Sequence, residues 1–334
     1  MRKTTVLLIL LLSYFFPINP ALGHTPLRPG DNESLETAMV ISDPTKSWAI
    51  YAELHEGGEA QYYKLHLEEG ERLRASLYIP LVEKGFMPKL AIIGPGISSK
   101  DTVPEFVEVP EGVGIILLES RKSERPEYEP FTPSSYYYLA NFDLEITIHD
   151  DYYLAVFDPS RGGRYGLATG YREVFGIDEW LLVPIDVLSI REWEGQSQGI
   201  VLAPLIAAVA VGFLVLILLK KDLFGTLRVW TISAAGFLYL GSGFMMVLQM
   251  FIALSVTMVN LSVILTLFFA ILPVLIGLML IKSGIRETLN FRARIIIAVF
   301  WLLGLITWSG LLIGPILAIL SSILPSKRIT TKNK

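Results

Sequence analysis

The sequence predicts two fold classes in one chain: a jelly-roll-like, antiparallel β-sandwich, followed by an α-helical transmembrane bundle of about four helices. Three observations predict it. Residues 24–195 carry 30 Asp and Glu against 15 Lys and Arg, a net of −15, whereas residues from Gln196 onward carry 2 against 11, a net of +9. Uncharged apolar stretches long enough to cross lipid occur only behind Gln196. Ahead of it, apolar residues alternate in short runs interrupted by Gly, Pro and Asp, the texture of half-buried strands.

The first element is an export signal over residues 1–23. Arg2 and Lys3 precede an apolar run from Val6 to Phe16, and Ala21-Leu22-Gly23 offers small residues where a signal peptidase reads. Cleavage is expected after Gly23. An uncleaved anchor is the alternative, but the run is shorter than the roughly 20 residues a span needs, and Pro17 and Pro20 end it. Export fits the sequon Asn32-Glu33-Ser34, which makes Asn32 a candidate glycosylation site.

The exported domain, residues 24–175, is expected to place strands at 49–54, 60–67, 73–79, 89–93, 114–119, 136–139, 144–148, 151–157 and 163–169. In the second of these Tyr63, Leu65 and Leu67 form one apolar face, while Tyr62, Lys64, His66 and Glu68 point the other way. Glycines at Gly70 and at Gly162-Gly163 suit the tight reversals that follow strands. The chain has no cysteine. Its exported part is therefore held by a core without disulfides, and thiol catalysis and thiolate metal sites are excluded.

Two runs carry a family resemblance. Tyr62-Tyr63-Lys64-Leu65-His66-Leu67-Glu68-Glu69-Gly70-Glu71-Arg72-Leu73 resembles the aromatic hairpin of pre-peptidase C-terminal (PPC-like) domains. Asp151-Tyr152-Tyr153-Leu154-Ala155-Val156-Phe157, followed by Gly163-Arg164-Tyr165-Gly166-Leu167, is similar to their closing strands. The resemblance covers about residues 38–170 and implies a secreted, non-catalytic β-sandwich used for binding or targeting. The chain departs from the pattern in lacking a peptidase domain and in an insertion at 98–133.

That insertion ends in an aromatic cluster. Tyr128, Phe131, Tyr136, Tyr137 and Tyr138 fall within eleven residues. Tyrosine pairs apolar area with a hydroxyl, which suits a contact site for a glycan, a peptide or an envelope protein. The alternative is that these rings fill a sandwich core and its rim.

Metal chemistry has thin support in the sequence. His24 would become the mature N-terminus, where an amine and an imidazole together suit Cu(II). Asp150, Asp151 and Asp158 fall near strand ends, where a hard cation such as calcium gathers loop oxygens, although no EF-hand spacing is present. His66 reads as a solvated surface residue. No G-x-S-x-G elbow, H-E-x-x-H helix, Walker loop or dinucleotide fingerprint occurs, so neither an enzyme nor a cofactor is expected. The acidic exported half repels nucleic acid.

Residues 176–196 read as a connector helix lying along the outer membrane surface, with Trp180 and Trp193 as interfacial anchors. Apolar segments follow at 200–219, 229–254, 258–281 and 295–324, forming a bundle over 197–324, and a basic tail occupies 325–334. Lys220, Lys221 and Arg228 flank one loop, and Lys282, Arg286, Arg292 and Arg294 flank the next. By the positive-inside rule both loops are cytoplasmic and the sandwich is extracytoplasmic. Four passes then leave the basic tail outside, against its charge. A re-entrant hairpin broken near Trp308-Ser309-Gly310 and Pro315 is the alternative. Gly310 and Gly314 form a G-x-x-x-G pair suited to helix packing or homo-oligomerisation.

The expected function is that of a non-enzymatic surface protein of the cell membrane, its sandwich binding a glycan, peptide or envelope partner and its helices contacting lipid. The alternatives are an accessory subunit of a transport or export complex, and an exported metal-binding protein for copper or calcium.

Overall fold

The computed structural model describes residues 24–219, 226–285 and 290–325. The expected signal peptide and most of the basic tail lie outside the described residues. The chain divides into two compact units: a sheet unit, which takes in residues up to 126 together with 136–176, and a helical unit, which takes in 127–135 together with 177–334.

Eleven strands run in order: β1 Thr25–Leu27, β2 Met39–Ile41, β3 Trp48–Leu54, β4 Ala60–Leu67, β5 Arg72–Pro80, β6 Lys89–Gly94, β7 Gly114–Leu118, β8 Glu127–Glu129, β9 Ser134–Glu145, β10 Asp150–Phe157 and β11 Gly163–Thr169. They form a six-stranded sheet, β1-β3-β11-β5-β9-β8, and a five-stranded sheet, β2-β4-β10-β6-β7. The long pairings are antiparallel, as expected. The sheets are nonetheless mixed, because β1 pairs with β3 and β2 with β4 in parallel. Both exceptions are three-residue edge strands, too short to show an alternation in sequence. The segment expected as a strand at 136–139 and the first two residues of the one expected at 144–148 belong to a single strand, β9, which runs unbroken to Glu145, while Ile146, Thr147 and Ile148 lie outside any strand. A register shift opposite Leu77 and Tyr78 leaves Leu139 without a ladder partner, the extra residue of a β-bulge.

One hydrophobic cluster takes side chains from both sheets. Ile50, Leu77, Tyr165 and Leu167 come from the six-stranded sheet and Tyr63, Leu65, Tyr152 and Leu154 from the five-stranded one, each almost fully buried. Burying a side chain of this size contributes roughly 1.5–3 kcal/mol. Two phenols cross this core: Tyr63 Oη and Tyr165 Oη lie 2.5 Å apart, and Tyr165 donates to Gln61 Oε1 at 2.6 Å. A buried hydroxyl without such a partner would be a net cost.

The helical unit contains α1 Ile177–Trp193, α2 Gln198–Leu219, α3 Leu227–Leu254, α4 Val263–Gly284, α5 Phe291–Ile306 and α6 Ile313–Ile323. Helices α2, α3 and α4 are long and apolar enough to cross a membrane. Helix α3 packs against α2, α4 and α6. Its contact with α4 is close because Gly236 faces Gly277 and Gly243 faces Ala270, pairs seven residues apart on each antiparallel helix. A β-carbon on Gly236 would lie 2.9 Å from the Gly277 carbonyl oxygen, and one on Gly243 2.5 Å from that of Ala270. Small residues at this spacing let the backbones approach.

The segment at 295–324, expected as one pass, is instead two helices folded back on each other. Helix α5 stops at Ile306, α6 starts at Ile313, and the two pack side by side. The guanidinium of Arg294, in the first turn of α5, donates to the carbonyls of Ser322 and Leu324 at the end of α6. The reversal uses left-handed backbone at Trp308, Gly310, Leu311 and Leu312, which no helix can continue. Gly310 therefore sits in a turn while Gly314 sits in α6, so the G-x-x-x-G pair is not a ridge on one helix. Both glycines instead admit α3: added β-carbons would meet Leu238 at 2.6 Å and the Tyr239 ring at 2.9 Å.

Candidate functional site: a polar-edged cavity in the helical unit

Three non-glycine residues with positive φ, Trp308, Leu311 and Leu312, lie within five positions. Each such conformation costs on the order of 1–3 kcal/mol and persists only where its surroundings impose it. The surroundings are visible here. The Trp308 indole N–H donates to the Trp180 carbonyl at 2.8 Å, the Trp180 indole N–H donates to the Leu305 carbonyl at 3.2 Å, and the two rings pack with centroids 4.3 Å apart and planes tilted by 37°. The Gly310 N–H donates to Ser242 Oγ at 2.5 Å. Phe131 meets Trp308 edge-on at 5.6 Å and Phe269 at 5.7 Å.

This strained turn walls a cavity of about 90 Å³. Room for one water takes about 10–15 Å³ on this measure, so the space accepts several heavy atoms. Most of the lining is apolar, including Phe131, Val187, Met245, Met246, Phe269 and Trp308. Arg191, Gln249, Ser242 and Thr307 are also among the lining residues. Arg191 is 2% exposed and pairs with Glu194 at 2.8 Å, while the same nitrogen donates to Ser134 Oγ at 2.7 Å. Gln196 Nε2 donates to Glu194 at 3.1 Å, and Gln249 Nε2 donates to Gln196 Oε1 at 2.9 Å. The chain of bonds ends at Gln249 Oε1, which is buried without a hydrogen-bond partner among the described residues. An unsatisfied buried acceptor costs about 1–3 kcal/mol.

The aromatic residues read as a contact surface divide between the two units. Tyr128 and Phe131 belong to the helical unit and are buried: Tyr128 Oη bonds Thr266 Oγ1 at 2.7 Å, and Thr266 in turn donates to the Pro130 carbonyl at 2.6 Å. Burial pushes the Tyr128 phenol above its ordinary pKa, against the Thr266 bond. In the sheet unit Tyr136 is buried against Tyr78. Only Tyr137 and Tyr138 keep partly exposed rings, and Lys122 Nζ stands 3.8 Å from the Tyr137 ring centre.

The remaining candidates land as follows. Asn32 is 1% exposed and its side-chain nitrogen donates to the Tyr62 carbonyl, so this fold leaves no room for a glycan there. Asp158 is buried, and its carboxylate accepts from Ser160 N, Ser160 Oγ, Arg161 N and Met87 N. Three of these bonds fall on Oδ1, so it caps a turn. Asp150 accepts from the Asp151 N–H. His24 Nδ1 lies 2.5 Å from Ser47 Oγ, and His24 is in neither group of three or more potential metal ligands among the described residues. Asp151 bonds Lys64 and His66. Trp180 belongs to the aromatic stack of the turn, and Trp193 is half-buried at the end of α1.

Sequence reasoning missed Arg191, Glu194 and Gln249 as one network. A connector helix read as lying on a surface gives no reason to bury its arginine. The available signal was an i, i+3 Arg–Glu pair next to Gln196 and Gln198. No protein-family model matches the chain, and no curated protein is detectably similar to it.

Proposed function

We propose that the chain is a non-enzymatic, multi-pass protein of the cell membrane that binds the non-polar part of a small amphiphile, a membrane lipid, in the cavity of its helical unit. The observation that carries this reading is the cavity itself, a mostly apolar space of about 90 Å³ with Ser242, Thr307, Gln249 and Arg191 among its lining residues, which suits a ligand with a hydroxyl or N–H beside a hydrocarbon tail. The strained turn, which also lines the cavity, supports it, since such strain collects at binding sites. The polar lining favours binding over turnover, because it consists of hydroxyls, amides and an ion-paired arginine, with no imidazole to act as a base.

The topology follows from charge. With α2, α3 and α4 as spans, the loops after α2 and after α4 share a side, and their Lys and Arg favour the cytoplasm for it. The sheet unit is then extracytoplasmic. Helices α5 and α6, at about 24 and 16 Å by helical rise, are each short of a roughly 30 Å core and serve as a re-entrant hairpin. The basic tail thereby starts from the cytoplasmic side, and the charge conflict of a four-pass reading disappears. Two sheets sharing one core support the PPC-like, jelly-roll-like sandwich.

Lipid analysis of the full chain extracted in mild detergent tests the reading. Wild-type protein should retain about one lipid per chain, and Met246→Trp and Gln249→Leu should deplete it without lowering the yield of folded protein. Equal traces in all three would sink it. A second reading has its own support: Tyr137 and Tyr138 remain partly exposed beside Lys122, a surface suited to a glycan, peptide or envelope partner. Arrays probed with the full chain should then lose a hit on Tyr137→Ala.

A further inference from the structure

Strand geometry brings together four residues that the sequence scatters over 86 positions. In the β4–β10 ladder His66 stands opposite Asp151, and the same register continued one step past the end of β4 sets Glu68 opposite His149. Side chains two apart on a strand share a face. His66 and Glu68 therefore project to the same side as Asp151 and His149, and the four form a quadrangle on one exposed face of the five-stranded sheet.

The side chains close that quadrangle. The imidazoles of His66 and His149 lie with ring centres 4.7 Å apart and planes nearly perpendicular. His149 Nδ1 contacts Glu68 Oε2, and His66 Nδ1 lies 2.8 Å from Asp151 Oδ1. One ligand atom from each of His66, Glu68 and His149 falls within 4.8 Å of the others. Asp151 is anchored from behind by Lys64 Nζ at 2.6 Å.

We infer that this face holds a divalent transition-metal ion, with His66, His149 and Glu68 as ligands and Asp151 as a positioning residue that orients the His66 ring. Two imidazoles and a carboxylate suit Zn(II) or Cu(II), whereas a calcium site would be all oxygen. Three protein ligands on an exposed face leave a coordination position for water. A carboxylate bonded to a coordinating histidine supports metal affinity by about 10–100-fold in known sites. A second cluster, Glu33, His55 and Glu59, contains one imidazole only, and Glu59 already accepts from the N–H groups of His55 and Glu56. It serves as the control. This inference concerns the sheet unit and stands independently of the lipid reading.

The test uses the full chain in detergent, stripped with a chelator, titrated with Zn(II) by calorimetry and with Cu(II) by electron paramagnetic resonance. Wild-type protein is expected to bind one ion, with a Cu(II) spectrum showing two nitrogen ligands. His66→Ala and His149→Ala should each weaken binding at least tenfold and remove one nitrogen coupling. Asp151→Asn should weaken it while keeping both couplings, and His55→Ala should change nothing. Wild-type binding no tighter than that of the folded His66→Ala/His149→Ala double variant would overturn the inference, as would an equal loss in His55→Ala.

Discussion

Trp180 and Trp308, 128 positions apart, are joined twice: their tilted rings pack with centroids 4.3 Å apart, and the indole N–H of Trp308 donates to the Trp180 carbonyl at 2.8 Å. Because Trp308 is also a left-handed residue of the turn between α5 and α6, this pairing holds strained backbone in place. Trp308→Ala removes the ring contact and the bond together. Trp308 is half-buried, so we expect a loss of about 2–3 kcal/mol, below the usual range for truncating a fully buried aromatic residue, read as a lowered unfolding midpoint of the full chain in detergent. A shift smaller than that of Trp230→Ala, on the exposed side of α3, would contradict it.

The fold-back of α5 and α6 predicts sidedness. The chain has no cysteine, so single cysteines report cleanly. Asn290→Cys and Pro325→Cys should label from the same side of sealed vesicles, and Asn260→Cys from the other. Labelling of position 325 from the side of position 260 would restore a single long pass.

Close packing of α3 on α4 makes Gly236 intolerant. A β-carbon there would stand 2.6 Å from Ile281 Cγ1 and 2.9 Å from the Gly277 oxygen, so Gly236→Val forces the helices apart. Overpacking of this kind costs about 1–3 kcal/mol. Gly199→Val, at a site with only Ser197 Oγ nearby, at 3.6 Å, should be near neutral. Equal thermal stability of the two variants would refute the packing argument.

The Tyr63 and Tyr165 phenols are pushed well above their ordinary pKa by burial, more strongly than hydrogen bonding between them offsets for Tyr63. A group whose folded pKa is raised adds stability that is complete below its unfolded value of about 10 and drains away as pH rises toward the folded one. Alkaline unfolding of the sheet unit should therefore steepen above about pH 10, by up to ~1.4 kcal/mol per pH unit for each phenol. The Tyr63→Phe/Tyr165→Phe double variant should flatten that slope while losing about 1–3 kcal/mol at neutral pH from the unpaired Gln61. An unchanged slope would show that other groups govern the alkaline limb.

What could be read from the chain in advance depended on range. Strands such as β4 and β10 announce themselves because an alternation of apolar residues over seven or eight positions is a local property, and α2 to α4 do so because lipid-compatible length is another. The three-residue strands β1 and β2 carry no such signal, and their parallel pairing comes from where the sheets leave an open edge. Tyr128 and Phe131 show the same limit: an aromatic cluster in a loop looks alike whether it faces solvent or packs on Thr266 and Trp308.

The sequence by itself determined the division between a carboxylate-rich, alternating front and an apolar helical rear, since desolvation and backbone periodicity act on neighbouring residues. Only the tertiary structure decided that α5 and α6 fold back, that Arg191 is buried beside Glu194, and that His66, Glu68, His149 and Asp151 share one face. Those outcomes depend on strand register and on positive-φ backbone held by distant side chains, and neither is encoded at any single position along the chain.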